Sequence, residues 1–435
     1  IVFLGLAAAL FGHWLEKAGP RKAGVAAAIF WGGGLMVTSI GVSLHQLWLI
    51  WLGAGVIGGI GLGLGYISPV STLIKWFPDR RGLATGMAIM GFGGGAMIGM
   101  PLGDYLIKAN GVGETFFIMG LIYLIAMTIG AFGYRVPAEG WKPEGWNPVA
   151  KKTNNMISSS HVHVSNAHKT PQFWLLWGVL CLNVSAGIGV LSVAKPMFQE
   201  IAASSFDPLI IGAIATGFGA LLSLANIIGR IFWASSSDFL GRKLTYAIFF
   251  SLGTALYLAA PWAGINQYIA TFVLITLVIL TMYGGGFATI PAYLADIFGT
   301  QHVGAIHGRL LTAWSLAGIV GPMLISYLRE YQLSMGIPTD QAYNSSFKIL
   351  ALLLVAGFIL NLLVKPVNKK FGMTPEELKA EQGAIKGTQT NSPVVASVTN
   401  TSMQKILLPL AWIVVGVPIT LGILNALQKG IIIFL

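Results

Sequence analysis

The sequence predicts an all-α protein that crosses a membrane many times. Three observations predict it. Of the 435 residues, 55% are apolar and only 9% are Asp, Glu, Lys or Arg, against ~25% charged in soluble domains. The mean hydropathy is +0.75. The apolar residues gather in twelve runs, near 1–14, 23–43, 47–74, 83–107, 115–134, 173–194, 209–233, 245–262, 268–290, 303–328, 348–364 and 406–426. Most approach the ~20 residues that a helix needs to span a bilayer. The runs are continuous rather than alternating, so lipid-facing open strands are not expected. This composition excludes a soluble enzyme, a disordered chain and a disulfide scaffold. Cys181 stands alone and cannot close an intrachain disulfide.

The sequence repeats itself. A shift of 222 residues brings Glu16 onto Asp238, Gly19 onto Gly241, and Gly82 and Gly86 onto Gly304 and Gly308. The same shift aligns Gly99, Leu102 and Tyr105 with Gly321, Leu324 and Tyr327. Two like-folded halves follow, and parallel halves around a midplane cavity are a transporter architecture. We expect a first bundle over 1–136, a cytoplasmic linker over 137–171 and a second bundle over 172–366. A flexible linker at 367–404 and an extra transmembrane helix at 405–435 complete the reading. Shifted back by 222 residues, the runs at 173–194 and 209–233 fall partly or wholly before the first residue. The repeat therefore predicts two six-helix bundles with the first helix and part of the second missing.

The net charge of +11 is a matter of topology. With the 16–22 loop in the cytoplasm, twenty Lys and Arg fall on the cytoplasmic side and five on the other. That asymmetry sets orientation and implies a multi-pass protein of the cell (inner) membrane. The basic residues lie in short loops, so no nucleic-acid partner is expected. The expected partners are the lipid bilayer and a small carboxylate anion, and the expected state is a monomer. No cofactor and no metal are expected.

The mechanistic motifs sit at the ends of the runs. GHWLEKAGPRK (Gly12–Lys22) has its repeat mate in ASSSDFLGRK (Ala234–Lys243). Each places an acid at a helix end, a turn glycine three residues later, then cations. An acid there can cap a neighbouring helix and pair with cations across the bundle, so Glu16, Arg21, Asp238 and Arg242 are the candidate gating residues. Arg230 lies about 12 Å before Asp238 at 1.5 Å per helical residue. A buried Arg costs about 2.5–3.5 kcal/mol and usually faces a cavity or a partner. Its repeat mate is Ala8, an asymmetry that favours function over scaffolding. The alternative is an Arg that snorkels or braces the Asp238 loop. The guanidinium fork matches a carboxylate with two parallel hydrogen bonds. Tyr66, Tyr283, Phe287 and Trp314 are candidate cavity walls. No Asp or Glu sits mid-run, which favours anion exchange over a carboxylate proton relay. Symport remains open if the substrate or a His carries the proton.

The paired loops resemble the signature of the major facilitator superfamily over nearly the whole chain. WFPDRRGLATG (Trp76–Gly86), NIIGRIFWASSSD (Asn226–Asp238) and YGGGFATIPAYLADIFG (Tyr283–Gly299) resemble the oxalate/formate antiporter family. The final apolar segment resembles the extra helix fused to some members. The resemblance implies the major facilitator fold, alternating access and a carboxylate-binding Arg at position 230. It also implies a Lys within the run at 303–328, where this sequence has Trp314; His307 and Arg309 lie nearer the cytoplasmic entrance. One cation balances a monoanion, so a monocarboxylate of the formate, pyruvate or lactate type is expected, moved by exchange. The alternatives are a proton-coupled monocarboxylate symporter, an oxalate/formate exchanger and, more distantly, a non-transporting sensor. No catalytic cluster lies within the runs, so an enzyme is not expected.

Other features have plainer readings. Gly53, Gly55 and Gly58 spell a dinucleotide-like motif, but within an apolar run they suit close helix packing. His161, His163 and His168 in the central linker read as a solvated loop. Thr374 and Glu377 fit a capping box of a short surface helix. Residues 387–403 have a disordered composition.

Overall fold

The computed structural model describes residues 1–137, 141–143, 145, 156–158, 160–380, 394–395 and scattered positions between 409 and 433; the side chains of residues 94, 96, 97, 100 and 101 are not described. Most of the segment expected as an extra C-terminal helix, and all of 387–403 but Val394–Val395, lie outside the described residues.

The expected all-α architecture is present. Helix α1 spans Val2–Ala18, α2 Pro20–Ser43 and α3 Leu47–Trp76. Helix α4 runs Arg81–Gly133 but is broken at Gly111, whose φ of 80° and ψ of 173° leave the helical region. In the second half α5 spans Pro171–Ser192, α6 Ile211–Leu240, α7 Arg242–Ile265 and α8 Ile269–Phe298. Helix α9 spans Val303–Ser334 and α10 Asn344–Leu363. Among the described residues, nine helical segments are long and apolar enough to cross a membrane. Strand pairing there is confined to Val136–Pro137, parallel to Val394–Val395, and a bridge between Val162 and Gly372.

Large apolar side chains point outward, among them Leu10, Trp51, Ile129, Phe232 and Leu352. In water such a surface would drive association; in lipid it is the solvated face. Between the helices, small residues allow backbones to touch. A Cβ at Gly53 would lie 2.6 Å from the Thr38 nitrogen, and one at Gly34 would lie 2.6 Å from the Gly53 carbonyl oxygen. The dinucleotide-like motif is therefore a helix–helix contact, in a stretch that is π-helical over Trp51–Ile57.

The repeat is visible in three dimensions. Gly19 and Gly241, mates at the 222 shift, have φ of 84° and 85° and redirect the chain between α1 and α2 and between α6 and α7. The halves meet along α1 with α9 and α4 with α6. A Cβ at Gly86 would come within 2.7 Å of the Arg230 carbonyl oxygen, and one at its mate Gly308 would clash with the carbonyl of Ala8. Gly82 abuts Ala234, and Gly12 abuts Ala305, by the same symmetry. Farther along, Gly95 and Gly103 of α4 and Gly219 of α6 have open space where a Cβ would go. The halves therefore touch closely at the basic end, and α1 and α9 stay in contact as far as Ile1 and Gly318.

Candidate functional site

The basic end is closed by two related networks. Asp238, at the end of α6, accepts hydrogen bonds from the Gly82 nitrogen at 2.9 Å and the Leu83 nitrogen at 3.0 Å. These are orphan donors of the first turn of α4, where helix polarity favours an anion. Arg242 pairs with Asp238 at 2.6 Å and with Asp296 at 3.1 Å, and Arg81 of α4 reaches Asp296 at 3.0 Å. The mate, Glu16, accepts from the Gly304 nitrogen at 3.2 Å, at the start of α9, and pairs with Lys75 at 3.1 Å. Each acid of one half thus caps a helix of the other. Glu16, Asp238 and Arg242, three of the candidate gating residues, lie in these networks.

Arg21 does not join these cross-half networks through its hydrogen bonds. Its guanidinium donates to the carbonyls of Phe132 and Tyr134, at the end of α4. Lys243 does the same for Leu362 and Val364 at the end of α10. Cations suit helix C-termini because the last carbonyls lack intrahelical donors. The cations of these networks that sequence reading missed are Lys75, paired with Glu16 within the first half, and Arg81, which crosses to Asp296.

Arg230 is 4% exposed. Its Nε donates to Asn226 Oδ1 at 3.1 Å, and its Nη1 crosses the interface to the Ile89 carbonyl at 2.7 Å. It neither snorkels nor braces the Asp238 loop. Gly93 makes room for it: a Cβ there would stand 3.2 Å from the guanidinium carbon. That carbon lies 5.6 Å from the ring centre of Phe287 and 5.9 Å from that of Phe92, within cation–π range. Both hydrogen-bond partners are neutral. No carboxylate pairs with Arg230 among the described residues, and its Nη2 has no protein partner there.

Around this cation the aromatic candidates gather. The Tyr66 ring lies 5.3 Å from Phe287, 6.1 Å from Trp314, 5.9 Å from Phe92 and 5.7 Å from His307, centre to centre. Phe287 and Trp314 are 4.5 Å apart. Tyr283, one turn before Phe287, packs on the backbone of Gly187 and lines a narrow void with Asn183 and Tyr257. Sequence reading missed Phe92, although it is the repeat mate of Trp314. His307 lies near the entrance, one turn beyond Gly304, but its burial at 2% exposure against Tyr66 was not foreseen.

The linker histidines depart from a solvated loop. Residues 156–158 and 160–168 lie across the basic end as a strap. The Ser158 and Val162 nitrogens donate to the Asp296 and Phe298 carbonyls, and Met373 N donates to His161 O. His161 Nδ1 accepts from Gln301 N, His163 meets His302 edge to face, and His168 meets Arg309 at 3.0 Å. Room for His161 comes from Gly299, at φ 79°. The Thr374–Glu377 capping box is formed, with both reciprocal bonds.

Burial, with His302 and Arg81 nearby, holds the His161 imidazole below its ordinary value. A depressed histidine favours the docked strap where it is neutral. Docking is therefore complete above about pH 6.5 and weakens as pH falls through the docked-state value. Amide exchange at Val162 and Met373, corrected for intrinsic rates, should be several-fold faster at pH 5 than at pH 7.5. Equal protection at both would refute this assignment.

Two bundle halves packed together, acids capping helix N-termini across their interface and a buried cation ringed by aromatic side chains make up the architecture of a membrane transporter. The profile of the Major Facilitator Superfamily matches residues 1–223 and 184–430. The chain belongs to that superfamily; it is a multi-pass membrane transporter and not an enzyme. It is 26% identical over 376 residues to the oxalate:formate antiporter of Oxalobacter formigenes, covering 84% of this chain and 82% of that one. It is 25% identical to apicoplast pyruvate carrier 1 of Toxoplasma gondii, over 74% of this chain and 66% of the carrier. The fold is shared with the fucose:proton symporter of Escherichia coli, with a TM-score of 0.60 at 12% identity over 84% of this chain and 89% of the symporter.

Proposed function

We propose that the protein exchanges small monocarboxylates of the formate, pyruvate or lactate type by alternating access. One observation carries the reading: Arg230 is buried between the halves with only neutral hydrogen-bond partners and a free Nη2 among the described residues. A buried guanidinium without a counter-charge is costly, and a carboxylate docking on its fork removes that cost. Tyr66, Phe287 and Trp314, with Phe92, wall the anion, and Tyr283 supports the wall. A single arginine balances a single negative charge, so a monoanion suits the site better than a dianion. The likeness to an oxalate:formate antiporter and to a pyruvate carrier supports a small carboxylate as cargo. Glu16, Asp238 and Arg242 close the basic end while the opposite end admits the substrate.

The test is counterflow in proteoliposomes with labelled formate, pyruvate, lactate and oxalate at neutral pH. Saturable exchange of the monocarboxylates, with oxalate exchanged at least ten-fold more slowly, is expected. Preference for oxalate would overturn the charge argument.

A further inference from the structure

His307 is buried at 2% exposure, and neither ring nitrogen has a hydrogen-bond partner among the described residues. Buried polar atoms are nearly always paired, and each unpaired one costs stability. The crevice beside it, lined by Ile67, Val70, Pro291 and His307, is too narrow for a water molecule. The imidazole packs on Tyr66, whose hydroxyl also lacks a partner there. On another side Tyr66 meets Phe287, which carries Arg230 over its ring. His307 and Arg230 thus flank one aromatic residue. His307 also lies one turn beyond Gly304, which Glu16 caps, and beside Gly308, which touches Ala8. It therefore stands between the gate and the chamber.

We infer that His307 binds one proton with each carboxylate, so that the species moved is a proton–carboxylate pair. This rests on the reading of the Arg230 site as a carboxylate site. His13 apart, the other charged and titratable groups on the surrounding elements are committed or unsuited. On α1, Glu16 caps α9 and binds Lys75 of α3; His13 lies on the same helix. On α8, Asp296 is held by Arg81 and Arg242, and Tyr283 and Tyr293 are phenols. On the strap and α9, His163 meets His302, while His168 meets Arg309. Phenols and guanidinium groups do not titrate near neutrality, and imidazole does.

The coupling is electrostatic. In the empty site Arg230 repels a second positive charge on His307. A carboxylate neutralises Arg230 and then attracts the proton. By linkage, the proton tightens carboxylate binding by the same factor. When the basic end opens, water reaches His307 and the proton leaves with the anion. The proton adds to an imidazole nitrogen and is lost from it; no other bond changes.

The test is equilibrium binding of labelled pyruvate to the purified protein between pH 5.5 and 8. Small carboxylic acids ionise below about pH 4, so any pH dependence there belongs to the protein. The wild type should bind with Kd tightening up to ten-fold per pH unit as pH falls, and should take up one proton per pyruvate in weak buffer. His307→Gln should bind with a flat profile and no proton uptake; His307→Asn serves if the first variant is not monodisperse. Pyruvate binding with a flat wild-type profile, or a slope that survives in the variants, would overturn the inference alone. Absence of pyruvate, lactate and formate binding at every pH would overturn the carboxylate reading beneath it.

Discussion

Arg230→Gln should abolish carboxylate exchange while leaving the protein at least as stable as the wild type. The two halves of this expectation have separate causes. Removing one partner of a buried, hydrogen-bonded charge pair costs about 2–5 kcal/mol of binding, or roughly 30-fold to several-thousand-fold in affinity. Yet in the empty protein the guanidinium is a buried charge with neutral partners, the Ile89 carbonyl and Asn226. Burying it costs about 2.5–3.5 kcal/mol on the lenient insertion scale, and glutamine avoids that cost while keeping a donor. Counterflow in proteoliposomes should fall to the level of empty vesicles, and the thermal midpoint in detergent should hold or rise. Arg230→Lys keeps the charge but loses the fork, so it should recover only a minor part of the activity. A scaffolding arginine would give the reverse pattern: a lowered midpoint with exchange intact.

What the sequence made legible depended on chemistry carried by side chains at helix ends. The acid, turn glycine and cations at Glu16–Lys22 recur at Asp238–Lys243, and Gly19 and Gly241 share their positive φ because the turn demands it. The partners of those acids were not legible. They are backbone nitrogens of Gly82, Leu83 and Gly304, and every residue but proline has such a nitrogen. Arg230 could be singled out because charge in an apolar run is rare; its acceptor, the Ile89 carbonyl, could not. Phe92 was within reach, since the same 222 shift that pairs Gly86 with Gly308 pairs it with Trp314. The burial of His307 was not legible because its neighbours in sequence, Gly304 and Arg309, belong to the helix entrance, while its packing comes from Tyr66 on another helix. The linker histidines read as solvated because nothing local shows that Gly299 leaves a seat for His161.

Removing the Asp238 carboxylate should open the basic end. In Asp238→Ala, the Gly82 and Leu83 nitrogens lose their acceptor, and Arg242 loses one of its two carboxylates while keeping Asp296. Asp238 and Arg242 side chains are each 8% exposed, so solvent cannot readily replace what is lost. Each buried donor left without an acceptor costs about 1–3 kcal/mol. The two backbone bonds join the halves and exist only while the end is shut, so their cost falls on the closed state. A bias of that size moves a two-state population from almost fully closed to substantially open. Spin labels at Arg80→Cys and Phe239→Cys, in a Cys181→Ser background, report the separation across the gate. The unaltered gate should give one short distance, and Asp238→Ala should add a longer component that dominates. Glu16→Ala should act in the same direction but less. Its cation, Lys75, is 33% exposed, and a wetter pair contributes less. An unchanged distance distribution in Asp238→Ala would mean that helix packing at Gly82 and Gly86 alone holds the halves together, and that the acids are not a gate.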